Sequence, residues 1–239
     1  MVGLIISGSN ELSVITRRYP TTKSVSGTNK NFFNFSIGNT EITAVESGVG
    51  IKNARTAAND LINRFKPEII VNAGVAGALS PGIEVGNVVV GEWVYSLKKN
   101  LRINLLYPAE SVPENAIAGG ILTNNKFVDN HQAKKCLYEK TGAMVVDMET
   151  WGVAEVCQGA SLGLVAVKSV SDMSTDDLPL FGRILNQNGR LRYRIAAGYF
   201  ASNPYMLYKY LQFRYINMRK AVINLNNFII RFVNNNNYE

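Results

Sequence analysis

The chain has 239 residues, of which 46% are hydrophobic, 10% aromatic and 18% charged. This is the make-up of one sizeable α/β domain with a packed core, and it excludes disordered, collagen-like and coiled-coil chains. The formal net charge of +7 is unevenly placed, because residues 181–239 carry nine Lys and Arg against Glu239 alone.

Val2 to Ile6 predicts a buried first strand followed by the turn-prone Ser7, Gly8, Ser9 and Asn10. Phe32 to Ile37 and Glu41 to Ala44 predict a hairpin turning at Gly38-Asn39. Ala54, Ala57, Ala58, Leu61, Ile62 and Phe65 recur at helical spacing and stop before Pro67. Glu68 to Asn72 is the next strand, expected to end in a turn at Gly74-Val75-Ala76-Gly77. Val85 to Tyr95 contains Val88-Val89-Val90, the run of a strand buried on both faces. Residues 96–125 carry no clear period. Ala143 to Val146 predicts a short strand leading into a helix from Glu149, striped by Val153, Ala154, Val156, Cys157 and Ala160. Leu164 to Val170 closes the series. Strands alternating with helices predict a three-layer α/β/α fold with a central mixed sheet over residues 1–178. Residues 179–239 read as a basic helical C-terminal segment packed on the same domain. Its helix of about six turns runs from Leu207 to Ile229 before a disordered-looking Asn tail.

Two cysteines, Cys136 and Cys157, make neither a disulfide framework nor a thiolate cage and fit a reducing compartment. His131 is the only histidine, so His-clustered zinc sites drop out, no metal is expected, and catalysis should use carboxylates. The opening apolar stretch is too short for a signal peptide, and no later stretch approaches the roughly 18 apolar residues of a membrane span. A soluble, cytoplasmic protein is expected.

Open α/β sheets bind ligands at the carboxyl ends of their strands, so the residues after each strand are the candidates. They are Glu11, then Gly48-Val49-Gly50, then Gly74 to Gly77, then Asp147-Met148-Glu149, then Ser171-Asp172. Gly48-Val49-Gly50 is not a dinucleotide fingerprint, because Asn53 holds the third glycine position. Bare backbone at a helix start can instead admit an anion or a sugar, or serve only as a tight turn. Three carboxylates sharing a cleft repel one another, which raises the proton affinity of at least one and suits Asp172 to the role of acid.

The segments ESGVG, NAGVAGALSPGIEVGNVVV, VVDMETWGVAEVC and VAVKSVSD resemble the nucleoside phosphorylase and nucleosidase superfamily, including methylthioadenosine/S-adenosylhomocysteine nucleosidases. The resemblance covers roughly residues 1–178. It implies cleavage of the N-ribosyl bond of a purine nucleoside, with Asp172 protonating N7 and Glu11 activating water. Met148 and Glu149 would hold the ribose, Phe127 would stack on the base, and the Val128 backbone would read its edge. Gly74, Val75 and Ser171 complete the implied substrate contacts. Each has a structural reading beside this one: Asp172 as a turn cap, Glu149 as a helix-dipole partner, Glu11 as an exposed loop residue, Phe127 as core.

Phosphorylases of this superfamily hold phosphate with an Arg and a Ser where this chain has Asn72 and Val75, and Lys168 replaces an Arg. That favours water over phosphate as nucleophile, although Gly48, Gly50 and Lys168 could still bind phosphate as a co-substrate; no other cofactor is implied. The segment from Ser174 to Arg192 looks more like the hopanoid-associated branch, which acts on adenosyl-lipids. The basic C-terminal helix could then contact a membrane peripherally, or be a core helix with a solvated basic face. A nucleoside-binding relative without catalysis is the third reading. Nucleic acid is not favoured, for no aromatic-glycine RNA motif accompanies the charge. The resemblance also implies a homodimer or larger homo-oligomer.

Overall fold

In the computed structural model, residues 1–25, 30–105, 116–184 and 191–235 are described, without the side chains of residues 9 and 10. The elements in chain order are β1 (Val2–Ile6), α1 (Ser9–Arg18), β2 (Thr22–Val25), β3 (Asn31–Ile37), β4 (Thr40–Glu46), α2 (Ile51–Phe65) and β5 (Ile69–Ala78). They continue with β6 (Val88–Ser96), β7 (Leu101–Asn104), β8 (Ile117–Thr123), α3 (His131–Thr141), β9 (Val145–Asp147), α4 (Thr150–Gly159) and β10 (Gly163–Asp172). The C-terminal part is α5 (Phe181–Ile184), α6 (Tyr193–Ser202), α7 (Pro204–Gln212), a π-helical turn at Phe213–Asn217, and α8 (Met218–Asn235).

The expected mixed sheet is present, in the order β10-β6-β8-β9-β5-β1-β4-β3-β2 with β7 beside β6. An additional β5–β10 pairing closes five of these strands on themselves, so half of the sheet is a small barrel and the rest an open wing. Side-chain alternation divides the core between the two faces. Ile5, Ile70, Leu164 and Ala166 face α2 and α4, whereas Leu4, Ile6, Val71, Val165 and Val167 face α1 and α8. This is the three-layer packing read from the sequence, with buried strands showing near-continuous apolar runs.

Several local expectations are corrected. Ser7 to Asn10 is not simply a turn, because α1 starts at Ser9 and carries Glu11 in its first turn. Gly74 and Gly77 do not form a turn either; β5 runs through both to Ala78. Residues 96–125 hold β7 and β8, with 106–115 outside the described residues. The single C-terminal helix is in fact α7 and α8 joined by the π-helical turn. Asn234 and Asn235 of the expected loose tail end α8, and 236–239 lie outside the described residues. The two basic helices also differ in burial. Leu225, Ile229, Phe232 and Val233 of α8 sit in the core, while α7 buries no residue and leaves Tyr205, Tyr208 and Leu211 exposed.

Candidate active site

The site is organised along β5, whose only partly exposed residues are Val75 and Gly77. Gly77 pairs with Asp172 of β10 on one side and with Val146 of β9 on the other. β9 then leads directly to Met148 and Glu149, so the two predicted carboxylates flank one strand. Glu11 reaches the same strand from α1, its Oε1 accepting from the Val75 amide at 3.2 Å. The third candidate therefore joins them.

Glu11 is not an exposed loop residue, for only 4% of it reaches solvent. Its Oε2 accepts from the Ser7 hydroxyl at 2.8 Å and from the Gly8 amide at 3.0 Å, which ties the carboxylate to the end of β1 and the start of α1. Burial pushes its proton affinity up, opposed by those three hydrogen bonds and by the Lys168 charge. A carboxylate with a raised proton affinity is a stronger base than a solvated one.

Glu149 stands at the N-cap of α4 but does not cap it. Its Oε1 accepts from the Gly50 amide of α2 at 2.7 Å, while Oε2 is 3.2 Å from the Met148 amide. Gly50 presents that amide from φ +97°, a backbone conformation that side chains disfavour. Burial first, and the neighbouring Asp147 charge second, push the Glu149 carboxyl up to about 7.

Beneath these groups lies a buried polar network. Lys168 Nζ is 3.0 Å from Asp147 Oδ2 and 3.0 Å from Asn72 Oδ1. Asp147 also accepts from the Thr123 hydroxyl at 2.7 Å and the Thr150 amide at 2.9 Å. Lys168 is thus committed to protein partners. The amides expected to receive an anion are committed as well, since Gly48 donates to Ser7 O at 3.0 Å and Gly50 to Glu149. A Cβ on Gly74 would lie in ordinary contact, 3.5 Å from Lys168 Nζ and 3.7 Å from Glu11 Oε1, so both side chains reach this point of β5.

Asp172 is held at the far end of β5. The Ser171 hydroxyl donates to its Oδ1 at 2.6 Å and Lys134 Nζ to its Oδ2 at 2.5 Å, so the carboxylate does not cap a following turn. The chain after it folds over the loop that precedes α3: Leu178 N donates to Asp129 O at 2.7 Å, and Asp177 is 2.8 Å from His131 Nδ1. Phe127 on that loop is 43% exposed rather than core, and meets Phe181 edge-on at 5.0 Å. Val128 packs beside Leu79, Leu122, Ala143 and Val146.

Lys134, Thr123 and Thr150 were not among the sequence candidates, and Asp147, named there with Met148 and Glu149, was given no role. Lys134 is hidden in a polar helix without an apolar stripe. Cys157 is buried, with its thiol pushed up to about 12, and Cys136 is exposed. Among the described residues no His, Cys, Asp and Glu group is placed to hold a metal ion. Surface clefts of about 320 and 380 Å³, lined by Asn87, Asn224 and Arg231 and by Arg55, Asn63 and Glu155, include none of the predicted site residues.

A sequence profile of the phosphorylase superfamily matches residues 2–111 and 95–200. The 5′-methylthioadenosine/S-adenosylhomocysteine nucleosidase of Staphylococcus aureus (strain bovine RF122 / ET3-1) is 25% identical over 201 residues, covering 74% of this chain and 88% of its own. In fold, the chain is similar to the 5′-methylthioadenosine/S-adenosylhomocysteine nucleosidase of Helicobacter pylori, with TM-score 0.74 and 16% identity over 98% of this chain and 97% of that one. The futalosine hydrolase of Helicobacter pylori superposes with TM-score 0.73 and 17% identity, over 98% and 97% of the two chains. With its strands, helices and profile match in agreement, the chain belongs to the phosphorylase superfamily and is an enzyme of that family.

Proposed function

We propose that this enzyme releases the base of a purine nucleoside, an adenosine substituted at its 5′ position such as methylthioadenosine, by hydrolysis of the N-ribosyl bond. The observation that carries the reading is that acid, ribose carboxylate and base all contact or flank the short stretch of β5 from Val75 to Gly77. From Gly74 to Gly77 the strand advances roughly 10 Å, the span of a purine with its ribose.

Breaking the bond leaves positive charge on the sugar and an electron pair on the purine. Asp172 supplies the proton to N7, Glu149 with Met148 holds the ribose hydroxyls beside the developing cation, and Glu11 takes the proton of the attacking water. Ser171, donating to Oδ1, orients Asp172; the exposed Phe127 ring stacks on the base and the Val128 backbone reads its edge. Side chains carry both proton movements, so the reading calls for no cofactor. The internal engagement of Gly48, Gly50 and Lys168 supports water rather than phosphate, because an anion at that turn would have to displace their partners. The names of the compared 5′-methylthioadenosine/S-adenosylhomocysteine nucleosidases support a 5′-substituted adenosine.

The test is adenine release from 5′-methylthioadenosine with and without inorganic phosphate. Equal rates with methylthioribose as product are expected; methylthioribose 1-phosphate as product would establish phosphorolysis instead, and tight binding with no release in either buffer would leave a silent nucleoside binder.

A second reading, action on an adenosyl-lipid at a membrane surface, is favoured by one feature. Tyr205, Tyr208, Tyr215 and Ile216 are exposed along α7 and the π-helical turn, with Arg214 between them, Arg219 and Lys220 following at the start of α8, and no acidic residue between Asp177 and Glu239. Among the described residues no helix is long and apolar enough to cross a membrane, so such contact would be peripheral. Flotation with anionic vesicles tests it, and protein left at the bottom of the gradient counts against it.

A further inference from the structure

We propose that Lys134 is the proton source behind Asp172, a buried ammonium that lends the proton with which Asp172 protonates the departing purine. The inference rests on the reading of Asp172 as the leaving-group acid. Lys134 lies on α3 and is 0% exposed, an extreme position for an ammonium, and Asp172 is 3% exposed. Lysine is almost never fully buried without a partner, and here its three N–H groups have three acceptors. They are Asp172 Oδ2 at 2.5 Å, Met173 O at 2.7 Å and Asp176 O at 3.3 Å. Two of these are backbone carbonyls, which cannot take a proton. The third is the carboxylate.

Asp172 receives hydrogen bonds at both oxygens, from Lys134 on Oδ2 and from Ser171 on Oδ1. A carboxylate in that setting is an acceptor, and an acid needs a proton to give. Oδ2, the oxygen bonded to the ammonium, is also the nearer to Gly77, 2.9 Å from where a Cβ would stand against 3.4 Å for Oδ1, and Gly77 is one of the two partly exposed residues of β5.

As the C1′–N9 bond breaks, its electron pair goes to the purine and makes N7 basic. In that same step one N–H bond of the ammonium breaks and the proton is relayed through Oδ2 to N7, leaving a neutral amine and an Asp172 carboxylate. Water adds to C1′ and gives its proton to Glu11. After the products leave, Glu11 releases that proton to solvent, and Lys134 regains one through Asp172.

The experiment compares two substrates on the full-length protein, 5′-methylthioadenosine and the 4-nitrophenyl riboside with the same 5′ group, whose leaving group departs without a proton. For Lys134→Met, kcat on the nucleoside should fall about 100-fold or more, the contribution expected of a general acid. On the nitrophenyl riboside kcat, and on both substrates KM, should stay within about threefold of the wild type, since only the protonation step has been removed. Lys134→Arg should behave like Lys134→Met, because a guanidinium keeps its charge but does not release its proton. Lys134→Gln, which keeps donors for the two carbonyls, carries the same expectation should Lys134→Met fail to fold.

Equal losses on both substrates would make Lys134 a structural residue, and wild-type turnover by Lys134→Arg would make it a fixed charge; either overturns the proposal. Nucleoside turnover lost in Asp172→Asn but intact in the Lys134 variants overturns this inference alone. A wild-type enzyme inactive on the nucleoside overturns the functional reading beneath it.

Discussion

Gly77 is bare where the Asp172 carboxylate crosses β5: a Cβ on residue 77 would sit 2.9 Å from Asp172 Oδ2, closer than side chains tolerate. Gly77 is not in a left-handed conformation, so backbone strain is not what alanine would add there. The cost falls on the carboxylate, which would have to turn. Gly77→Ala should therefore lower kcat by about 10- to 100-fold, as displacement of a catalytic group does, while shifting Tm by only a few degrees. Steady-state kinetics beside a thermal melt check this; a large loss of Tm with unchanged kcat would count against it.

Asp172→Asn tests the proposed acid. The amide keeps the shape and the Ser171 neighbour but cannot protonate N7, so kcat on a purine nucleoside should fall about 10²- to 10⁴-fold. The pH profile of turnover should change with it, and an unaltered profile would remove Asp172 from that role.

Lys168 and Asp147 are both buried, 3.0 Å apart, and removing one leaves the other without its charge partner. Lys168→Met should destabilise the fold by about 3–5 kcal/mol, the usual consequence of a broken buried pair. Adding Asp147→Asn should recover a substantial part of that loss. Denaturant unfolding of the two single variants and the double variant measures the coupling.

Glu149 makes stability depend on pH in an unusual direction. Its carboxyl is raised from 4.5 to about 7 in the folded protein, chiefly by burial, so between those values the folded chain holds a proton that the unfolded chain has released. The contribution of Glu149 to stability therefore falls as pH rises from 4.5 to 7 and levels off above 7. Glu149→Gln should flatten that slope, by a few kcal/mol at most across the window. Unfolding titrations between pH 4.5 and 8 on both proteins provide the comparison. In kcat/KM, the limb that rises with pH near 7 should be absent from Glu149→Gln, since the ribose hydroxyls need a carboxylate to accept their hydrogen bonds.

The layers of this fold were legible in the sequence because β1, β5 and β10 are apolar on both faces and α2 carries a clean stripe of Ala54, Ala57, Ala58 and Leu61. The closing β5–β10 pairing was not, since a register between strands so distant in sequence leaves no local mark. β8 lies in the stretch without a clear period, where Gly119 and Gly120 interrupt the apolar residues; Met144 and Trp93 lie across them, with a Cβ at either position only 2.3 and 2.1 Å from those side chains.

At the site, Asp172 and Glu149 were readable from their places after strands, and the structure puts them on either side of β5. Glu11 was placed in a loop because Ser7, Gly8, Ser9 and Asn10 have turn composition, although Gly8 followed three residues later by Glu11 is the spacing of a helix start. Lys134 gave no signal. α3 is polar on most of its surface, and a lysine in its middle reads as solvated until the chain after Asp172 is seen folded over it.

The most direct measurement is a structure with a nonhydrolysable methylthioadenosine analogue bound. N7 of the base should lie within about 3 Å of an Asp172 carboxylate oxygen, with the ribose hydroxyls on Glu149 and a water between Glu11 and C1′. A base seated away from Asp172, or ribose hydroxyls that make no contact with Glu149, would contradict the account.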